Sequence, residues 1–351
     1  MRRARVAIVL ASAAVVVAGL TLFGRFWTSG GKLPGPHPSS VTDPVIENAA
    51  CEACHADVAA EWRSSEHASA FSDPIFGAAF AVEPTAFCAG CHAPEQIPQG
   101  EPGAKAALGV ACVTCHLAGD AVLAAPTPGL SFAPHRVEES AAFAGSGACA
   151  GCHEFSFGDD ARREVPLAMQ ATVSEHAASG SFERSCADCH MPRAAAGHRS
   201  HAFASTRDPV AHQKSVRVSA ERAGPTTLRV ELELDGVGHR YPTGDLFRRV
   251  AVFAEVVGDD YQSASSATRY LARHFATGRD LEGRPIRVEA SDDRAEPGAP
   301  SIIDLELGDA ALGRPIAWTV AYERVLHVSD HLEPAADVSS RIVLAQGQAS
   351  P

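Results

Sequence analysis

Residues 149–153 read CAGCH, and the reading of that pentad decides the architecture of the chain. The same grammar recurs as CEACH at 51–55, CAGCH at 88–92, CVTCH at 112–116 and CADCH at 186–190. Together the pentads contain Cys51, Cys54, Cys88, Cys91, Cys112, Cys115, Cys149, Cys152, Cys186 and Cys189, so none of the ten cysteines is left over. Ten cysteines in an exported chain would ordinarily imply disulfides. Pairs separated by two residues, each followed at once by a histidine, imply something else.

C-x-x-C-H is the attachment sequence of c-type haem. Its two thiols add to the two vinyl groups of one porphyrin, and the adjacent imidazole ligates the iron. Zinc ribbons and thioredoxin-type redox pairs also use C-x-x-C, but neither requires histidine at the next position. The expected cofactors are therefore five haem c groups, with His55, His92, His116, His153 and His190 as proximal iron ligands. The first cysteines are separated by 37, 24, 37 and 37 residues, and the five pentads occupy 140 residues. So little polypeptide cannot enclose each porphyrin separately. The macrocycles are expected to form most of a mainly α, loop-rich core and to lie close together.

Outward from the pentads, the N-terminus MRRARVAIVLASAAVVVAGLTLFGRFW places three arginines before an uncharged stretch of 19 residues, Val6 to Gly24. That length suits an N-terminal transmembrane helix with the arginines on the cytoplasmic side. The stretch is long for the apolar region of a signal peptide, and no clean A-x-A cleavage site follows. Residues 1–28 are read as a membrane anchor or signal, 29–47 as a Gly/Pro/Ser tether, 48–213 as the pentahaem domain and 214–351 as a further domain. From Ser215 onward, SVRVSAE, LRVELELDG, RRVAVFAEVVGD, PIAWTVAYERV and SRIVLAQG alternate apolar and polar residues, which predicts an Ig-like β-sandwich. The net charge of −12 argues against nucleic acid as a partner.

The occupant of each iron's sixth position separates an electron carrier from an enzyme. Eleven histidines remain after the proximal five. His67 and His176 sit in the repeated phrases SEHASA and SEHAAS, within stretches of helical composition, and are candidate distal ligands. His135, in FAPHRVEES, is a candidate on a loop. GHRSHAF offers His198 and His201, of which His201, close to Phe203, is preferred; His212 is a spare. His274, His327 and His331 are expected on the surface and His37 in solvent. Methionine is no general alternative, because only Met169 is free to serve.

The phrases EWRSSEHASAF, CADCHMPRA, GHRSHAF and GHRYPTG resemble those of exported multihaem c-type cytochromes, the broad class of cytochrome c nitrite reductase, hydroxylamine oxidoreductase and their electron-carrier relatives. The likeness covers about residues 48–213, and a sub-group with a GHxxPTG loop extends it to the C-terminal part. It implies distal ligands at His67, His135, His176, His201 and His239, five for five haems. His239 lies on GVGHRYPTGD (237–246), a loop between two expected strands, which would reach into the haem domain and cap one iron.

The expected function is therefore electron relay by mostly bis-histidine haems, with no catalytic residue assigned. The protein would act outside the cytoplasm, periplasmic or otherwise, anchored in the membrane by its N-terminal helix. Partners would be other redox proteins or a quinol-linked complex. An alternative is an oxidoreductase of the nitrite, hydroxylamine or sulfur-oxyanion type with one open iron, although the C-x-x-C-K motif that the resemblance links to nitrite reduction is absent. A third is the cytochrome subunit of a larger membrane redox complex.

Overall fold

The computed structural model describes residues 35–351 apart from 83, 97–102, 127–132, 158–162, 165, 204–206, 259–262 and 327–335. The expectation of a mainly α pentahaem part followed by a plain β-sandwich is corrected. The ten described α-helices are short, the longest having 11 residues, and strands run through both halves. Each pentad ends its helix, and the described segments between pentads are broken up by short strands and turns. The expected transmembrane helix over residues 6–24 lies outside the described residues. Among the described ones, no helix is long and apolar enough to cross a membrane.

The first half carries α1 (Pro44–Cys54), α2 (Ala56–Arg63), α3 (Pro74–Val82), α4 (Ala86–His92), α5 (Cys112–His116), α6 (Ala141–Ala144), α7 (Gly147–His153), α8 (Thr172–Ala178), α9 (Cys186–His190) and α10 (Pro209–Lys214). Between them lie a three-stranded sheet, β1 (Leu117–Ala118), β2 (Ala121–Ala124) and β3 (Val137–Glu139), and a hairpin, β4 (Glu154–Ser156) and β5 (Ala168–Ala171). Asp43 starts α1 by accepting from Val45 N and Ile46 N, with Pro44 at the first helical position, where its missing N–H costs nothing. Trp62 closes a small apolar cluster with Ala111 and Val113, and its indole N–H donates to Val110 O at 2.8 Å.

The second half is antiparallel. β6 (Val216–Arg222), β7 (Thr227–Leu234) and β12 (Ser301–Glu306) form one sheet in the order β12-β7-β6. β8 (Arg248–Val257), β9 (Ser263–Leu271), β13 (Ile316–Val325) and β14 (Val338–Ala349) form another, in the order β14-β13-β8-β9. Every second residue of β7 is buried, Leu228, Val230, Leu232 and Leu234, and these meet Val250, Val252, Val256, Ile316 and Val320 of the other sheet in one core. A separate ribbon, β10 (Arg273–Arg279) with β11 (Pro285–Asp292), belongs to neither sheet. It docks on the first half through Arg273, whose guanidinium donates to Ala168 O and Met169 O of β5. His274, expected on the surface, is buried beside Asp293, with Nε2 2.7 Å from Oδ1.

Candidate functional site

Each pentad is the last turn of a short helix or its immediate end. In α4, α5, α7 and α9 the histidine is the final helical residue, and His55 follows α1 directly, its N–H donating to Cys51 O at 2.9 Å. A helical turn puts residues i, i+3 and i+4 on one face. Both thiols and the imidazole of each pentad therefore project together, as attachment of one porphyrin requires. Thr85 caps α4 at Cys88 N, and Ser185 N donates to Asp188 Oδ2 at 2.8 Å to start α9.

Four of the pentad imidazoles face a second imidazole. The ring centroids are 6.3 Å apart for His55 and His135, 6.1 Å for His116 and His201, 6.1 Å for His153 and His67, and 6.2 Å for His190 and His239. A metal about 2 Å from each of two Nε2 atoms sets the two ring centres roughly 6 Å apart. The donor pairs therefore fit a haem iron held between two histidines.

The other ring nitrogen is equally well placed. Nδ1 lies 2.8 Å from Ala70 O in His92, 2.7 Å from Leu123 O in His116, 3.1 Å from Gln170 Oε1 in His153, 2.9 Å from Arg199 O in His201 and 2.9 Å from Arg240 O in His239. A carbonyl oxygen only accepts, so Nδ1 carries the proton and Nε2 keeps its lone pair. Burial pushes the His67 pKa down to about 3 and that of His239 to about 4, and lowers those of His92, His116, His153 and His201. All six are neutral at pH 7, the form that binds a metal.

Long-range contacts aim the second imidazoles. At Gly109, with φ +59°, a Cβ would lie 2.4 Å from His67 O, so only glycine lets that backbone come close enough for Val110 N to donate to the same oxygen at 2.8 Å. Phe203 meets the His67 ring edge-on at 4.3 Å. Glu61 accepts the His201 backbone N–H at 2.9 Å and faces His198 Nε2 at 3.1 Å, and the bond from His201 lowers the Glu61 pKa. His198 is thus engaged by Glu61, while His201 faces His116. His212, the spare, is buried between Tyr241, whose hydroxyl lies 2.6 Å from Nδ1, and Tyr322, stacked at 4.2 Å.

His92 and His176 stand apart. Phe76 of α3 stacks flat on His92 at 3.8 Å, and no second imidazole among the described residues faces His92 at the spacing of the other four. His176, on α8, packs against the 237–246 loop instead: a Cβ on Gly238 would come within 3.2 Å of its Cδ2. His327 and His331 lie outside the described residues.

The pentads also touch one another. The side chains of Cys91 and Cys152 lie close together, as do those of Cys149 and Cys186, which brings the second, fourth and fifth pentads side by side. Buried Asn48 of α1 accepts from Cys112 N at 2.9 Å and joins the first to the third. Sequence reading missed Glu61, Phe76, Asn48 and Gln170. Each acts through a partner at least 16 residues away, and no local motif marks such a residue.

Five attachment turns and four opposed imidazole pairs define a multihaem c-type cytochrome. Residues 50–117, which hold the first three pentads, match the family described as cytochrome c554 and c-prime. Among solved structures the chain is similar to a penta-heme cytochrome c552 from Thermochromatium tepidum, at 18% identity and a TM-score of 0.66, over 88% of this chain and 100% of that one. That likeness is one of fold. A β-glucuronidase of glycoside hydrolase family 2 aligns at 7% identity over 38% of this chain and 11% of that chain, with a TM-score of 0.16, too low to bear on the architecture. No curated protein matches the chain.

Proposed function

We propose that the chain is an extracytoplasmic electron-transfer protein carrying five haem c groups, bound at Cys51/Cys54, Cys88/Cys91, Cys112/Cys115, Cys149/Cys152 and Cys186/Cys189. The observation that carries this reading is the set of four imidazole pairs at 6.1–6.3 Å. His55 with His135, His116 with His201, His153 with His67 and His190 with His239 would each hold one iron from both faces, and His92 would hold the fifth. Haem iron supplies one-electron chemistry when bound. The protein's own part is to present neutral imidazoles, to fix their Nδ1 protons on carbonyl groups and to bring the attachment turns into contact. No proton has to be moved, and closed coordination leaves no room for substrate at those four positions. The surplus of 42 acidic over 30 basic residues suits redox partners with basic docking surfaces.

Low-temperature EPR of the oxidised, fully haem-loaded protein tests the reading. Four haems should be low-spin, and cyanide, nitrite and hydroxylamine should leave them unchanged. A high-spin iron that binds any of these molecules, at the His92 position above all, would refute the carrier reading and favour an oxidoreductase with one open iron. The His92 position is where the two readings differ most, since the described residues supply no second imidazole there.

A further inference from the structure

His239 is the distal candidate contributed by the C-terminal half, and its loop is held by one buried guanidinium. Arg294 is 7% exposed. Its Nη2 donates to Glu175 Oε1 of α8 at 2.7 Å and to Asp292 Oδ2 at 2.8 Å, its Nε donates to Asp292 Oδ1 at 2.9 Å, and its Nη1 donates to Pro242 O of the loop at 3.1 Å. The second oxygen of Glu175 accepts from Thr243 Oγ1 at 2.6 Å, and Thr243 lies 2.9 Å from Thr172 Oγ1, also of α8. Tyr241 exchanges both backbone hydrogen bonds with Ala295, at 2.9 and 3.0 Å. Arg240 completes the clamp through Asp292 at 2.7 Å. At the other end of the loop, Gly238 is seated against α8 and the turn after it, where a Cβ would approach Ser181 Cβ to 3.0 Å and His176 Cδ2 to 3.2 Å.

His239 is thus bracketed in sequence by Gly238 and by Tyr241 to Thr243, all held from outside the loop, and its ring lies nearly parallel to that of His190, at 14°. Nothing in the metal-ligand chemistry requires a buried Glu–Arg pair at this place. A charged pair taken out of water carries a high desolvation cost, and here its hydrogen bonds tie the loop to α8. We propose that Glu175 and Arg294 are positioning residues that hold His239 on the iron of the fifth pentad, so that α8 sets the coordination of that haem through the C-terminal loop. This rests on the reading of His239 as an iron ligand.

The test compares Glu175→Ala, Glu175→Asp, Thr243→Val and His239→Ala in the full-length, haem-loaded protein by low-temperature EPR and optical spectra with and without imidazole. His239→Ala should convert one haem of the five from low-spin to high-spin. Glu175→Ala should convert a substantial part of the same haem, with the same spectral signature and with recovery on adding imidazole. Glu175→Asp should keep most of the low-spin signal. Thr243→Val, which leaves both charges in place and disturbs folding less, should shift the same haem in the same direction to a smaller extent. Wild-type spectra from Glu175→Ala and Thr243→Val, alongside conversion by His239→Ala, would overturn the positioning role alone. Unchanged spectra from His239→Ala would instead refute His239 as a ligand, and the positioning role with it.

Discussion

Glu323→Gln should unfold the C-terminal half at a lower temperature, and the structure sets the size of the effect. Glu323 is fully buried in β13 and lies between two arginines on neighbouring strands, in register with Arg249 of β8 and Arg341 of β14. Arg249 Nε donates to Oε2 at 2.8 Å, and Arg341 Nε donates to Oε1 at 2.8 Å. The side chain of Arg341 is 59% exposed and rehydrates when its partner is neutralised, so its loss is small. That of Arg249 is 7% exposed and cannot rehydrate; the Tyr270 ring lies 3.8 Å below its guanidinium. Breaking a buried pair from one side costs about 3–5 kcal/mol, and glutamine retains one acceptor oxygen, which points to the lower end, about 3 kcal/mol. For a folding unit of this size that lowers Tm by roughly 10 °C. Scanning calorimetry would measure it, with the Soret band followed separately so that haem release is not mistaken for sheet unfolding. The double variant Arg249→Met with Glu323→Leu should recover most of the loss, because matched apolar replacement removes both desolvation costs. A loss below about 1 kcal/mol in Glu323→Gln, or a double variant as unstable as the single, would refute the reasoning.

Two further outcomes follow from the geometry. Asn48→Ala should cost about 1–3 kcal/mol in denaturant unfolding, because Cys112 N loses its acceptor inside the protein and the first and third attachment turns come apart together. Asp188 has its pKa lowered from 3.8 to about 2, chiefly by the hydrogen bond from Arg199 and then by those from Ser185. A carboxyl group depressed on folding stabilises the fold above its unfolded pKa and loses that contribution as pH falls through the folded one. Asp188→Asn should therefore be less stable than the wild type at pH 7 and indistinguishable from it near pH 2, as read by acid titration of α9 unfolding.

Much of the site was legible in the sequence because its chemistry is local. A pentad of two cysteines and a histidine closes within one helical turn, so spacing alone names the residues proposed to hold each haem. The alternation of Leu228, Val230, Leu232 and Leu234 is likewise a strand pattern visible in four alternate positions. The balance of the fold was not legible. Short pentad-ending helices and the small sheets between them replace a mainly α haem half, because strand pairs such as β4 with β5 depend on partners that composition does not reveal. The β10–β11 ribbon was missed for the same reason.

By itself the sequence determined the five attachment turns, the list of histidines able to ligate and the strand-forming character of the C-terminal half. Only the tertiary structure decided which imidazole opposes which: His135 with His55, His201 with His116, His67 with His153 and His239 with His190. It also decided that His176 packs beneath a loop and that Phe76 stacks on His92. The physical reason is one of range. The cysteines and histidine of a pentad are brought together within five residues, whereas each opposing imidazole arrives from 49 to 86 residues away and is aimed by carbonyl groups, aromatic edges and a buried ion pair that meet only once the chain has folded.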